Sequence, residues 1–532
     1  MDRPTRALLA MVALWGVVQF LPFSADRLIS KSFDDACYFA RIADNVAWGH
    51  GFTFDQINPT NGYQPLWLYL LIPIHRLPLS LESRFFAGLM LQGVFLTVAA
   101  FLLYGTLARL TSRSLLLASA AVFSALVFLP AINGMETAVQ ILLIVSLFAF
   151  GYRAKVFERP GVLRSLAFGV LAGMMILARL DDIFLVIALG AVLLIRALGG
   201  GADRRRRFAQ LGLIVFGTSL VVLPYFAHNV LAFGAFVPIS GQIKSSFPHV
   251  QWHGPLLDRF GVRGLIHISL ATAFSVWYLL GLIHPRGGSF GRRYLLAAAL
   301  IGSVALLLHA AHALLFMKWA AFRWHFVWYA LVTSVVMLEP LGALLASPPL
   351  QSRTWLPSAL GMILVVAGLG EVVRKEGAHG TYDWRHASYD AARWARTHVP
   401  KDAVMAMHDA GVFGYFSGRR VINLDGVVNT LGYQDTLRDG HWSDYLKSRD
   451  VHYIVKHDFG DIDYGESVDI HRYSYWSYRV LSHRYDVWSD RIWLFRADEA
   501  YRSREYLNDA KRVTATIWRW PDEVLEAARG GR

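Results

Sequence analysis

The run YLLAAALIGSVALLLHAAHALLF, residues 294–316, decides the class of fold because it carries no Asp, Glu, Lys or Arg. A helix needs about 20 apolar residues to cross the hydrocarbon core of a bilayer. A second run, LGLIVFGTSLVVLPYFA at residues 211–227, has the same character. Neither run shows the alternation that a membrane β-barrel strand requires. The sequence therefore predicts a polytopic α-helical membrane protein.

The composition of the whole chain agrees with a membrane protein. Of 532 residues, 55% are hydrophobic and 17% are charged, whereas soluble domains carry about 25% charged residues. The single cysteine, Cys37, excludes an intramolecular disulfide and a cysteine-ligated metal centre. The net charge of +13 would suit nucleic acid, but many basic residues stand in short loops between apolar runs, as membrane topology requires. We therefore expect the lipid bilayer, and no nucleic acid, as a partner.

The charges of the loops predict about eleven transmembrane helices with the N-terminus in the cytoplasm. On this topology the most basic loops, such as GGGADRRRRF, are cytoplasmic. The predicted spans are 7–23, 85–108, 114–131, 137–152, 165–179, 183–198, 208–227, 265–284, 294–316, 325–346 and 354–373. A cleaved signal peptide is the alternative for the first span, although no small-x-small cleavage site is convincing. The segment YQPLWLYLLIPIHRL, residues 63–77, is short for a span, and we interpret it as an interfacial or partly inserted helix.

The hydrophobic pattern changes near residue 377 and divides the chain into two domains. We predict a transmembrane domain at 1–375, with its first external loop at 24–84, and a soluble α/β domain at 376–532. In the second domain ASYDAARWARTHVP predicts an amphipathic helix with Ser388 as its cap, whereas VMAMHD and RRVINLDG predict strands. An odd number of spans puts this domain outside the cytoplasm.

Two adjacent carboxylates, Asp34 and Asp35, open an amphipathic pattern that ends at Gly49. The N-terminus of a helix favours ionised carboxylates, and an ionised carboxylate at a membrane surface suits a catalytic base. The alternative is that the pair only marks where the chain leaves the membrane. Neighbours on a helix point about 100° apart, so one of the two should face a substrate, and we favour Asp34.

The predicted outer loops contain further polar clusters, which are more than the basic residues that commonly flank a transmembrane helix. As substrate-lining residues we predict Asn61, Tyr63, Gln64, Trp67, Glu136, Arg179, Asp181 and Asp182. Rim carboxylates are costly and commonly functional. The alternatives are a turn into an interfacial helix for the NGYQPLW segment, a solvated loop for Glu136, and a structural ion pair of Arg179 with Asp181 or Asp182.

Positive residues in the outer loops run against the usual charge bias. These residues are Lys244, Lys318, Arg323 and His325. Cations on this face suggest a bound anion, and phosphate is the natural one at a membrane surface. Contact with lipid headgroups is the alternative. A carboxylate base and a phosphate site together would serve transfer of a sugar carried on a lipid phosphate, since the leaving group is already a stabilised anion.

The stretch FDDACYFARIADNVAWGHGFTFDQINPTNGYQPLW, residues 33–67, resembles the first external loop of the type C glycosyltransferase superfamily. It looks like that of bacterial polytopic enzymes using polyprenyl-phosphate sugars, which include the mycobacterial enzyme adding terminal arabinofuranose. NGMETAV, ARLDD, the PISG segment and AGVFGYFSGRRVINLDGVVN resemble further blocks of that family. The resemblance implies that Asp34 or Asp35 is the base. It also implies the inner (plasma) membrane of a bacterium as the location. This chain has Asn61 where many members of that family have glutamate or another residue, so the sugar and the acceptor stay open.

The expected function is therefore an inverting glycosyltransferase. Its donor would be a polyprenyl-phosphate-linked monosaccharide, arabinofuranose being one candidate, and its acceptor a hydroxyl of a glycan, lipid or protein. No cofactor is expected; a divalent metal at Asp34, Asp35 and Asp181 or Asp182 is the less favoured alternative. A membrane transporter or lipid-linked-sugar flippase is the competing function, although the sequence has no repeated halves.

Overall fold

A computed structural model describes residues 10, 14, 23–111, 116, 123–158, 161–199, 201–252, 254–282, 289–317, 321–345, 383–439, 441–458, 467–470, 473–476, 479–481, 486–488, 492–495, 499–508 and 511–520. The first part of the chain is helical. Its α-helices of six or more residues are α1 (Ala25–Lys31), α2 (Asp34–Ala47), α3 (Pro65–His75), α4 (Leu81–Leu107), α5 (Thr137–Ala154), α6 (Val162–Ala178), α7 (Ile183–Leu198), α8 (Arg204–Phe233), α9 (Ile239–Lys244), α10 (Leu256–Leu282), α11 (Phe290–Phe316), α12 (Phe326–Val336) and α13 (Leu338–Leu345).

Within the described residues, five helices are long and apolar enough to cross a membrane: α4, α5, α8, α10 and α11. Each matches a predicted span, which supports a multi-pass membrane protein. Helix α6 has 17 residues and α7 has 16, and the predicted span 325–346 is divided between α12 and α13. The predicted spans 7–23 and 354–373 and much of 114–131 lie outside the described residues, so eleven spans remain a prediction.

Helices α6 and α8 pack through glycine. A Cβ atom on Gly169 would stand 2.2 Å from the carbonyl oxygen of Ile214, and one on Gly173 would stand 2.8 Å from that of Thr218. The Thr218 hydroxyl donates a 3.0 Å hydrogen bond to the Gly169 carbonyl. Two glycines four residues apart let helix backbones approach closely, which is a packing mode common between membrane helices.

The predicted first external loop contains three helices and an irregular segment. Helix α2 begins at the predicted Asp34 and ends at Ala47, close to the predicted Gly49. Helix α3 confirms the helix within residues 63–77, and its 11 residues are too few to cross a bilayer. Almost all side chains of α2 are buried. This part of the loop is therefore packed against the rest of the protein and is not exposed to solvent.

The C-terminal part is a small α/β domain. Its helices are α14 (Trp384–His398), α15 (Gly411–Ser417), α16 (Tyr433–Asp439) and α17 (Trp442–Ser448). Its strands are β1 (Val404–Met407), β2 (Arg420–Asn423), β3 (Val451–Asp458), β4 (Ser467–Ile470), β5 (Tyr473–Trp476), β6 (Arg479–Leu481), β7 (Asp486–Trp488), β8 (Ile492–Phe495), β9 (Glu499–Arg502), β10 (Tyr506–Asn508) and β11 (Lys511–Arg519). The predicted strands within VMAMHD and RRVINLDG are thus confirmed.

The main sheet has the order β10-β11-β3-β1-β2, and β9 also pairs with β11. Strand β1 lies parallel to both β2 and β3, whereas β11 is antiparallel to β3. Helix α14 confirms the predicted amphipathic helix but corrects its cap. Asp383, not Ser388, caps it by accepting a hydrogen bond from the Arg385 amide at 2.9 Å. Ser388 is instead buried one turn later, against His457.

Candidate active site

The first loop is bonded to three of the other predicted outer clusters. The Asn61 side chain accepts a hydrogen bond from the Ile239 amide at 3.0 Å. The Gln64 side chain accepts one from the Leu180 amide at 3.1 Å. The indole nitrogen of Trp67 donates to the Gly134 carbonyl at 3.0 Å. These clusters therefore share one face of the molecule, as predicted.

These bonds give Asn61, Gln64 and Trp67 structural roles, since each side chain is used by the protein's own backbone. Tyr63 is buried and stacks on Phe52, with ring centroids 5.6 Å apart. A substrate-lining role for the four residues remains a prediction.

The C-terminal domain docks directly on helix α2. The two carboxylate oxygens of Asp34 accept hydrogen bonds from the backbone amides of Gly411 and Val412, at 3.0 and 2.7 Å. These amides belong to the start of α15, where a carboxylate is favoured by the helix dipole. Nearby, the Tyr38 hydroxyl donates to Asp425 at 3.1 Å. The domain therefore lies on the same side as the first loop.

Asp34 is buried in this junction, which overturns one expectation about its charge. Burial and the neighbouring charge of Asp409 raise the pKa of Asp34 well above its usual value, despite the two amide donors. A helix N-terminus favours an ionised carboxylate, but burial acts in the opposite direction and is the largest influence on the pKa of Asp34. With both carboxylate oxygens engaged by backbone amides, Asp34 is a poorer candidate for the base than the sequence indicated.

Asp35 has a different environment from its neighbour. Its side chain is only partly buried, on the next position of α2. Burial raises the pKa of Asp35, Lys244 lowers it, and Asp425 and Asp409 raise it further. Lys244, the last residue of α9, therefore lies within electrostatic reach of Asp35. The structure brings together this predicted carboxylate and this predicted phosphate ligand.

A second charged network lies beside Asp35 and involves Glu136, whose pKa is affected by the Asp35 charge. Arg179 forms an ion pair with Glu136 at 3.0 Å and another with Asp181 at 3.3 Å. The side chains of Arg179 and Glu136 are both 3% exposed. Glu136 is thus part of a buried ion pair and not of a solvated loop.

The aspartates of the ARLDD segment differ in their partners. Asp181 lies 3.6 Å from the imidazole of His309, which sequence reasoning did not select. Burial opposes ionisation of Asp181, but His309 and Arg179 outweigh it and hold the pKa well below its usual range. Asp182 accepts a hydrogen bond from Gln140 at 2.7 Å, and burial raises the pKa of Asp182 well above its usual value. Asp181 is therefore the more acidic of the two carboxyl groups.

The two predicted cationic loops meet. Just after Lys244, the Ser246 amide donates to the Phe316 carbonyl at 2.7 Å, at the end of α11. His325 is buried and interacts electrostatically with Lys244. Arg323 occupies a 3₁₀ turn with His325. Lys318 lies outside the described residues.

Sequence reasoning missed a third group of polar residues: His408, Asp409 and Asp425. One ligand atom from each of these side chains lies within 4.8 Å of the others. They follow strands β1 and β2, and the charges of both aspartates reach Asp35. The available signal was the acidic residue near the end of each predicted strand segment, VMAMHD and RRVINLDG.

An apolar cavity of about 100 Å³ lies among the membrane-type helices below these charged residues. Its lining includes Ile144 of α5, Leu185 of α7 and Gly302 of α11. Glu136 and Asp182 precede α5 and α7, so one or two helical turns separate the charged rim from the cavity.

The fold and site together define a multi-pass membrane protein with an α/β domain docked on the charged layer that contains α2. The sequence model of one family, described as a domain of unknown function (DUF8728), matches residues 379–507. This match covers much of the docked α/β domain. No curated protein matches the chain.

Proposed function

We propose that this protein is an inverting glycosyltransferase of the type C kind. It would move a monosaccharide from a polyprenyl-phosphate donor to an acceptor hydroxyl on the extracytoplasmic face of a bacterial plasma membrane. The observation that supports the proposal is that the charge of Lys244 acts on Asp35 and lowers its pKa, so a candidate base and a candidate phosphate ligand lie within electrostatic reach of each other. The resemblance of residues 33–67 to that superfamily, and arabinofuranose as the sugar, belong to the same proposal.

Asp35 acts as the base in this mechanism. Its carboxylate takes the proton of the acceptor hydroxyl while the hydroxyl oxygen bonds to the anomeric carbon of the donor sugar. The bond between that carbon and the phosphate oxygen breaks, and its electron pair leaves with the polyprenyl phosphate. Attack opposite the leaving group inverts the anomeric carbon. The raised pKa of Asp35 makes its ionised form a stronger base.

Lys244 binds the phosphate and offsets the charge that develops on it as the bond breaks. His325 interacts with Lys244 and extends this polar rim toward His309 and Asp181. Arg179 is already held by Glu136 and Asp181, so its role is to position these acids. The apolar cavity below the rim suits part of a prenyl chain, with the phosphate at the level of Lys244.

Transfer assays with the purified full chain test this proposal. The protein in lipid nanodiscs is incubated with a panel of polyprenyl-phosphate sugars, including arabinofuranose, and with glycans extracted from a deletion strain. We expect one donor to be consumed, polyprenyl phosphate to be released and a glycan with inverted linkage to form. If no donor is consumed but a fluorescent lipid-linked sugar crosses vesicles that contain the protein, the flippase alternative replaces the proposal.

A further inference from the structure

We propose that His408, Asp409 and Asp425 form a binding site for one divalent transition-metal cation, at the edge of the sheet that faces α2. The three side chains offer one imidazole nitrogen and two carboxylate oxygens, all within 4.8 Å of one another. Atoms bound to one cation at about 2.0–2.2 Å lie closer together than this, so small side-chain rotations would bring the three groups onto a single ion.

The topology of the sheet places these ligands where α/β proteins bind ligands. His408 and Asp409 come directly after β1, and Asp425 comes two residues after β2. Strands β1 and β2 are parallel neighbours, with Met407 opposite Asn423 at their ends. The carboxyl ends of parallel strands meet at one edge, and crevices there are the usual binding sites of such sheets.

The charges around the three ligands point independently to a cation. The Tyr38 hydroxyl donates to Asp425, and the charges of Asp425, Asp34, Asp409 and Asp35 all act on this buried tyrosine. Four carboxylates from two distant parts of the chain therefore crowd one junction. Their repulsion in a region of low dielectric is costly. His408 offsets part of it through an ion pair of 3.1 Å with Asp409, and a dication would offset far more.

The chemical types of the three ligands, one imidazole and two carboxylates, indicate which metal ion the site would bind. Imidazole favours zinc and other transition metals, whereas sites for magnesium and calcium use oxygen ligands alone. The mixed set therefore fits Zn²⁺ or Mn²⁺. Three protein ligands leave coordination positions open for an outside oxygen, such as a phosphate or hydroxyl oxygen brought toward Asp35. This site shares no residue with the Asp34, Asp35 and Asp181/Asp182 set. The Asp425 oxygens also accept hydrogen bonds from Tyr38, Asn423 and Val427, and these donors would hold the carboxylate in place as a ligand.

Metal binding is measured on the purified full chain in detergent, after treatment with a chelator and dialysis. Zn²⁺ and Mn²⁺ are titrated separately by calorimetry, and bound metal is counted after gel filtration. We expect one equivalent of at least one ion to bind, and D409N and D425N each to weaken its affinity at least tenfold. Asparagine tolerates the positive φ of 49° at Asp409, so D409N should keep the local backbone.

The matched control is D450N. Asp450 also has a positive φ, of 52°, and its side chain is 89% exposed and distant from the cluster in sequence. D450N should bind the ion as the unsubstituted protein does. The proposal is overturned if the unsubstituted protein binds neither ion, or if D409N and D425N bind as tightly as D450N. Binding is read without glycosyl transfer, so this result and the test of the proposed function are independent.

Discussion

Gly411 lies directly against Asp34 at the junction between the first loop and the α/β domain. A Cβ atom on Gly411 would stand 2.2 Å from the Asp34 carbonyl oxygen and 2.6 Å from a carboxylate oxygen. The absence of a side chain thus lets the amides of α15 reach the carboxylate. This contact explains why a glycine stands at that position in the AGVFGYFSG stretch.

Replacing Gly411 by alanine should separate the two layers. The added methyl group must displace backbone atoms, and overpacking of this kind costs about 1–3 kcal/mol. We expect G411A to lower the unfolding temperature, measured by intrinsic fluorescence in detergent. G432A is the matched control, because a Cβ there would meet only the Thr430 hydroxyl, at 3.9 Å. Equal unfolding temperatures for the two variants would contradict this account of the junction.

The buried ion pair of Arg179 should be essential for stability. Removing one partner of a buried pair leaves an uncompensated charge and costs about 3–5 kcal/mol. R179A would leave Glu136 in this state, so we expect a large fall in the unfolding temperature. R438A removes an arginine that pairs with Asp435 and Asp439 on an exposed helix, and it should leave the unfolding temperature unchanged. A stable R179A protein would mean that Glu136 is not buried in its charged form.

The pH dependence of transfer should report the environment of Asp35. Burial raises the pKa of this group, so the acidic limb of the rate profile should lie above the usual value of about 3.9 for aspartate. Lys244 favours the ionised carboxylate, and its removal raises that pKa further. K244A should therefore move the acidic limb to higher pH and also weaken binding of the donor. If K244A leaves both the acidic limb of the rate profile and the donor affinity unchanged, Lys244 is not part of the site.

The predicted topology can be tested with two single cysteines. R205C lies at the start of α8, and D450C lies in the α/β domain where the side chain is exposed. The native Cys37 is buried and can remain. In intact cells an impermeant maleimide should label D450C, whereas R205C should be labelled only after the membrane is opened. The reverse pattern would place the candidate site in the cytoplasm.

The sequence predicted the convergence of the outer clusters because charge bias and apolar length are strong signals of topology. It could not distinguish the environments of Asp34 and Asp35. The difference arises because Asp34 accepts hydrogen bonds from Gly411 and Val412, nearly 380 positions away in the chain. A polar side chain near a membrane boundary looks the same whether it lines a site or binds backbone, so Gln64 and Trp67 could not be resolved either.

The His408, Asp409 and Asp425 group was missed for a related reason. Each aspartate stands near the end of a predicted strand segment, but only the parallel pairing of β1 with β2 brings the two to one edge. The cap of α14 was misplaced because Asp383 precedes the first residue of the recognised helical pattern. Both errors concern contacts that the local pattern does not contain.

The most direct test of the central claim compares D35N with D34N in single-turnover transfer from the donor identified in the panel. D35N removes the base, so we expect kcat to fall about 10²–10⁴-fold while the unfolding temperature and donor affinity change little. D34N replaces one of the two accepting oxygens by an NH2 group and leaves the amide of Gly411 or Val412 without an acceptor, at a cost of about 1–3 kcal/mol. It should therefore lower the unfolding temperature and retain more activity than D35N. Full activity of D35N, or complete loss of transfer in a well-folded D34N protein, would contradict the assignment of Asp35 as the base.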